Sequence, residues 1–163
     1  MYSRGVAFSA TGSMLACGNQ TDYFAVWKLD GHSRPKGSQK KHRVPRVSEQ
    51  SNVQSIAFSP DGRRLATGHM DTSISIWDME KGRQMHNWYV PDSSVLDVKF
   101  SPCGTVLATA LEDGNVSLWE TESRRKLYRL PAHEGAALSV AFNPADGVTL
   151  ATGGADGVIR MWQ

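Results

Sequence analysis

With 163 residues, 40% of them hydrophobic and 21% charged, the chain has the composition of one globular domain with apolar residues enough for a sizeable core. No apolar run approaches the roughly 18 residues of a membrane span, and Met1-Tyr2-Ser3-Arg4-Gly5 lacks the apolar stretch of a signal peptide; no membrane partner is expected. The net charge of +2 is uneven, since residues 31–50 carry six basic side chains against one acid, Glu49, and the remainder is net −3.

Cys17 and Cys103 show neither metal nor redox spacing, which predicts a reducing compartment, cytoplasmic or nuclear. The sequons at Asn19 and Asn115 are read as chance, because no export signal precedes them.

Taken in chain order, one pattern returns four times. Val6-Ala7-Phe8-Ser9-Ala10-Thr11-Gly12 leads to Trp27, and Ile56-Ala57-Phe58-Ser59-Pro60-Asp61-Gly62 leads to Trp77. Val98-Lys99-Phe100-Ser101-Pro102-Cys103-Gly104 leads to Trp119, and Val140-Ala141-Phe142-Asn143-Pro144 with Gly147 leads to Trp162. Phenylalanine and tryptophan stand 19, 19, 19 and 20 residues apart. Phe58 to Phe100 and Phe100 to Phe142 are both 42 residues, whereas Phe8 to Phe58 is 50, and the surplus falls in the basic stretch.

Within the second copy, Val53–Phe58 is rich in β-formers, and Ser59-Pro60-Asp61-Gly62 reverses the chain with a fixed φ and a glycine. Leu65–Gly68 predicts a second strand, and the turn at His69–Thr72 uses Asp71 to bond nearby backbone. Ser73–Trp77 alternates apolar and small residues as a third strand, and Gln84–Val90 supplies a fourth, matched near Leu127–Leu130 in the next copy. Four strands in some 42 residues make a sheet too small to bury both faces, so such sheets must shelter one another.

Period, strand count and landmarks together resemble the WD-repeat family of β-propellers. The resemblance implies an all-β fold, a β-propeller of four-stranded antiparallel blades at about 2–30, 51–90, 93–131 and 134–163, in a single domain with 31–50 as a basic loop insert. Turn aspartates stand six residues before the tryptophan at Asp71, Asp113 and Asp156, while the first copy has Thr21 there. Trp-Asp is whole only at Trp77-Asp78, and the histidine before the first strand is matched only by Ala132-His133, with Glu49 and Pro91 at that place in copies two and three.

His133, Thr152 and Asp156 contain the elements of nucleophilic catalysis. In WD repeats the same types, with tryptophan, form a structural hydrogen-bond network, so His133, Thr152, Asp156 and Trp162 are read as a blade lock. No catalytic residue, metal ligand or cofactor is assigned: no phosphate loop and no zinc spacing is present.

The resemblance also implies a partner-binding face where first strands begin and second-to-third-strand turns end. By position this gives Asn52, Gln54, Met70, Ser94, Leu96, Glu112, Ala136, Leu138 and Ala155, with Tyr2, Arg4 and Gln20 or Thr21 in the first copy. Other proteins or peptides are the expected partners. The six basic residues Arg34, Lys36, Lys40, Lys41, Arg43 and Arg46 are read either as a solvated loop or as an arm for nucleic acid, without an aromatic to stack bases. The leading expectation is a scaffold in a larger assembly; the alternatives are an RNA or ribonucleoprotein binder and a regulatory propeller of a larger enzyme.

The fourth copy stops one residue after Trp162, which predicts a sheet without its outer strand. Open lateral faces would each leave about six apolar side chains wet, at ~1.5–3 kcal/mol apiece. That rivals a typical domain's whole stability of ~5–15 kcal/mol. The expectation is a fragment of a larger ring, with pairing of two copies or closure of four blades as the other outcomes.

Overall fold

The computed structural model describes residues 3–19, 23–29, 40–43 and 52–163. Tyr2, Gln20, Thr21, Arg34, Lys36 and Arg46 lie outside them. Among the described residues all regular structure is β, and no helix is long and apolar enough to cross a membrane.

The first sheet joins β1 (Ser3–Phe8), β2 (Met14–Asn19), β3 (Tyr23–Lys28) and β4 (Lys40–Arg43). The second joins β5 (Val53–Phe58), β6 (Arg64–His69), β7 (Ser73–Asp78) and β8 (Arg83–Tyr89). The third joins β9 (Val95–Phe100), β10 (Val106–Leu111), β11 (Asn115–Glu120) and β12 (Lys126–Pro131). The fourth has three strands, β13 (Ala137–Phe142), β14 (Leu150–Gly154) and β15 (Ile159–Trp162). Every pairing is between chain neighbours and antiparallel, as short turns require.

The turn after each inner strand repeats. Gly12, Gly62, Gly104 and Gly147 take φ of 67–74°, a region that glycine enters without a side-chain clash. In the second copy, the Ser59 hydroxyl donates to Asp61 Oδ1 at 2.6 Å, and Asp61 accepts the Arg63 N–H at 3.0 Å. The third copy puts Cys103 where Asp61 stands, with Sγ 3.2 Å from Ser101 Oγ and 3.0 Å from Thr105 Oγ1.

The structure differs from the reading of 31–50 as a loop. Residues 40–43 form the outer strand of the first sheet, with Phe24 opposite His42 and Val26 opposite Lys40. The first blade therefore reaches beyond residue 30 for its fourth strand. The run Lys40-Lys41-His42-Arg43 shows no β-former, so the open edge of β3 rather than local propensity makes it a strand.

The core lies between sheets. Ala16, Phe24 and Val26 of the first pack on Val53, Ile56, Leu65 and Trp77 of the second, with Phe24 edge-on to Trp77 at 4.9 Å. Ile74 and Ile76 pack on Val95, Val98, Leu107 and Trp119, and Trp88 closes that boundary edge-on to Trp119 at 6.0 Å. Ala108, Ala110 and Val116 pack on Ala137, Val140 and Leu150. The arc is not closed: Val6 and Phe8 on the first sheet and Ile159 and Met161 on the fourth stand exposed.

Candidate functional site

The rim where inner strands begin is built by one repeated hydrogen bond. The Met70 N–H donates to Asn52 C=O at 3.3 Å, Glu112 N–H to Ser94 C=O at 3.0 Å, and Ala155 N–H to Ala136 C=O at 2.8 Å. Each bond fastens a second-to-third-strand turn to the start of an inner strand, so three pairs of candidate residues are brought side by side. Glu112 is further aimed by the Ser94 hydroxyl, which donates to its Oε2 at 2.6 Å.

Leu138, Glu112 and Ala155 are exposed on this rim, and Asn52, Met70, Ser94, Leu96 and Ala136 are half-buried. Gln54 corrects the positional transfer: it is only 7% exposed, because β5 lies between β1 and β9 and its side chain is enclosed. Arg4 lies in β1. At the opposite end of the inner strands, Phe8, Phe58, Phe100 and Phe142 line one hollow.

Beneath the rim, His133 meets three partners. The Trp162 indole N–H donates to Thr152 Oγ1 at 3.1 Å, and Thr152 Oγ1 lies 3.0 Å from His133 Nε2. His133 Nδ1 lies 2.9 Å from Asp156 Oδ1. With the indole donating to the hydroxyl oxygen, the hydroxyl hydrogen points to Nε2, and Nδ1 faces both the carboxylate and, at 2.8 Å, Arg160 Nη1. Arg160 Nη1 donates to Asp156 Oδ2 at 2.7 Å, and that bond, first among several, holds the Asp156 carboxyl well below the usual carboxylate range. The His133 side chain is fully buried and Thr152 nearly so, which leaves no opening for a substrate at the hydroxyl.

Other blades carry shorter versions. Thr67 accepts the Trp77 indole N–H at 3.2 Å and lies 2.8 Å from Nε2 of the buried His69. Thr109 accepts the Trp119 indole N–H at 3.0 Å and donates to Ser117 C=O at 3.3 Å. In the first blade Cys17 occupies the threonine's place, ten residues before Trp27, and its thiol donates to Gly18 C=O at 3.6 Å. The turn aspartates are local braces: Asp71 accepts from Ser73 N–H at 3.1 Å, and Asp113 from Asn115 N–H at 3.0 Å, with Arg129 paired to it.

Sequence reasoning missed two residues. His69 sits two positions past a lock threonine rather than before an inner strand. Asp97 lies on the third inner strand, three residues before Phe100, where the neighbouring copies have Ser55 and Ser139. It accepts the Ser55 hydroxyl at 2.7 Å, the Ser139 hydroxyl at 3.3 Å, and the N–H groups of Val98 and Val140 at 3.0 and 3.1 Å. Lys99 Nζ balances its charge at 2.7 Å. The polar set repeating inside an apolar strand was the signal available. Among the described residues, no group of three or more His, Cys, Asp or Glu could hold a metal.

Blades packed in series, three of them with a tryptophan–threonine lock, define a WD-type β-propeller, and the chain belongs to the WD40-repeat family. A model of the anaphase-promoting complex subunit 4 WD40 domain matches residues 6–96, and the model of the WD domain, G-beta repeat, matches 82–120 and 124–163. The chain is 28% identical over 79 residues to the periodic tryptophan protein 2 homolog of Schizosaccharomyces pombe, covering 48% of this chain and 8% of that protein. It is 34% identical over 82 residues to a probable cytosolic iron-sulfur protein assembly protein 1 of Cryptococcus neoformans, covering 45% of this chain and 19% of that one. It is also 32% identical over 78 residues to the SAGA complex/transcription factor TFIID complex subunit Taf5 of Schizosaccharomyces pombe, covering 45% and 12%. The matches thus span less than a fifth of each of these three relatives.

Proposed function

We propose that this chain is a WD-repeat scaffold, cytosolic or nuclear, that holds partner proteins or peptides across the inner-strand rim as part of a larger assembly. The observation that carries the reading is the repeated rim hydrogen bond, which fixes the backbone while changing the side chains displayed: Asn52 with Met70, Ser94 with Glu112, Ala136 with Ala155. A rigid frame with varied rim groups suits recognition. The buried, bonded state of His133 and Thr152 favours holding over catalysis. The relatives named as a complex subunit and as an assembly protein agree with a place in an assembly.

The test compares capture by the chain with capture by a Met70→Asp, Glu112→Lys, Leu138→Asp variant, read by quantitative mass spectrometry. Partners should fall by about tenfold or more, with the melting temperature unchanged. A partner set indifferent to these changes overturns the reading.

A second reading, nucleic-acid binding, is favoured by β4, which sets Lys40, Lys41 and Arg43 on a sheet edge. Neutralising Arg34, Lys36, Lys40, Lys41, Arg43 and Arg46 should then weaken RNA binding and flatten its salt dependence. Unchanged affinity at two salt concentrations removes it.

A further inference from the structure

Outside the apolar core between the second and third sheets, two polar contacts cross the same boundary. Arg124 Nη1 donates to His86 Nδ1 at 3.0 Å, and Arg64 Nη1 pairs with Glu122 Oε1 at 2.6 Å. His86 lies on β8 opposite Ile76, two residues before the Trp88 that packs on Trp119. Both partners on the third blade come from one turn, residues 121–125, between β11 and β12.

That turn departs from its counterpart at one telling position. In the second blade the chain reverses through Gly82, φ 64°, whose N–H donates to Asp78 C=O at 2.8 Å. In the third blade Arg124 stands at the same place, φ 62°, with its N–H on Glu120 C=O at 2.8 Å. A left-handed backbone costs an arginine energy that it does not cost a glycine. The strained residue is also the one whose side chain reaches His86, so the cross-blade bond is what the third blade gains where the second has a glycine.

A guanidinium has donors only, so the imidazole accepts at Nδ1 and carries its hydrogen on Nε2. A second proton can go only to Nδ1, where it would face the Arg124 N–H and set two cations 3.0 Å apart. Arg64 of β6 and Arg124 of the turn oppose that proton and Glu122 favours it, while Asp78, Lys81 and Arg83 of the second blade line the hollow beside His86. Glu122 is already engaged by Arg64. Burial first, then the Arg124 charge, holds the imidazole below its usual value. We propose that His86 and Arg124 form an acid-released latch: the neutral imidazole holds the 121–125 turn of the third blade against the second, and protonation lets that turn go. Because the held state prefers the neutral ring, the hold is complete above the ordinary imidazole value of about 6.5 and fades as pH falls below it. The latch is independent of what the rim binds.

Amide hydrogen exchange of the 163-residue chain, corrected for the intrinsic effect of pH, tests the latch. Protection of the amide at position 124 should fall by about three- to tenfold between about pH 7.5 and about pH 5, the factor carried by one hydrogen bond. His86→Asn offers an acceptor close to the place of Nδ1 that no proton blocks in this range, so it should keep the protection and lose the pH dependence. Arg124→Gly, which gives the third blade the turn residue of the second, should also lose the dependence. It should move the His86 titration midpoint, read by nuclear magnetic resonance, up toward about 6.5. Far-ultraviolet circular dichroism matching the parent chain establishes that each variant is folded. Equal protection at both pH values in the parent chain, a pH dependence that persists in His86→Asn, or a midpoint unmoved by Arg124→Gly each overturns the proposal.

Discussion

The Ser55 hydroxyl donates to Asp97 Oδ1 at 2.7 Å across one whole repeat, 42 residues, and the other oxygen of the same carboxylate faces Ser139 one repeat further on. A single buried side chain therefore ties three consecutive inner strands. Its oxygens satisfy the buried Ser55 hydroxyl and Val140 N–H, which have no water to turn to, and also accept from the exposed Ser139 hydroxyl.

Replacing Asp97 by alanine strands the buried Ser55 hydroxyl and Val140 N–H, and it leaves Lys99 without its carboxylate. The expected loss is about 2–4 kcal/mol in urea unfolding. Asp97→Asn keeps the shape and one acceptor, so its loss should be smaller. Equal stability of all three proteins would show that the tie contributes nothing.

Asp156 predicts an acid-side effect. Its carboxyl is held down first by Arg160, with the Val158 N–H and His133 adding to it. A carboxylate lowered on folding adds stability above its unfolded value of about 3.9, and that contribution fades as pH falls toward the folded value. The melting temperature should therefore decline more steeply below about pH 4 in the parent chain than in Asp156→Asn. At pH 7, Asp156→Ala should melt lower than the parent. Superimposable pH profiles would contradict the lock's electrostatic part.

Thr72 occupies a left-handed position, φ 71°, where the third and fourth blades have Gly114 and Gly157 at 87° and 75°. A β-branched residue is strained there. Relief of that strain, less the added freedom of the unfolded chain, makes Thr72→Gly more stable by roughly 0.5–1 kcal/mol. Thermal unfolding reads this directly, and a destabilised variant would mean that the turn needs the threonine side chain.

Cys103 stands in a carboxylate's place, and hydrogen bonds from Ser101, then Thr105, lower its thiol to about 7. Alkylation by iodoacetamide, followed by mass spectrometry, should rise through a midpoint near pH 7. Ser101→Ala should move that midpoint toward the ordinary thiol value of about 8.5. A midpoint unmoved by the substitution would exclude the serine as its cause.

Strands of the second, third and fourth blades were legible because phenylalanine, turn glycine and tryptophan recur at fixed intervals and a pleated sheet repeats its sides every two residues. The strand at Lys40–Arg43 was not, because its pattern is charge rather than alternation and its pairing partner lies well upstream in β3. The burial of Gln54 was equally hidden, since enclosure by flanking inner strands is a tertiary fact. Asp97 was within reach: the period aligns it with two serines, and one acid with two hydroxyls at one register invites a shared bond.

Since all three boundaries set apolar residues of one blade's second and third strands against the inner strand, leucine and tryptophan of the next, a blade is a transferable unit: duplicating or excising one leaves matching surfaces on both sides of the change. Asp97 limits that freedom. Its carboxylate needs a hydroxyl from the blade before and another from the blade after, so the third blade is the one that cannot trade places with its neighbours.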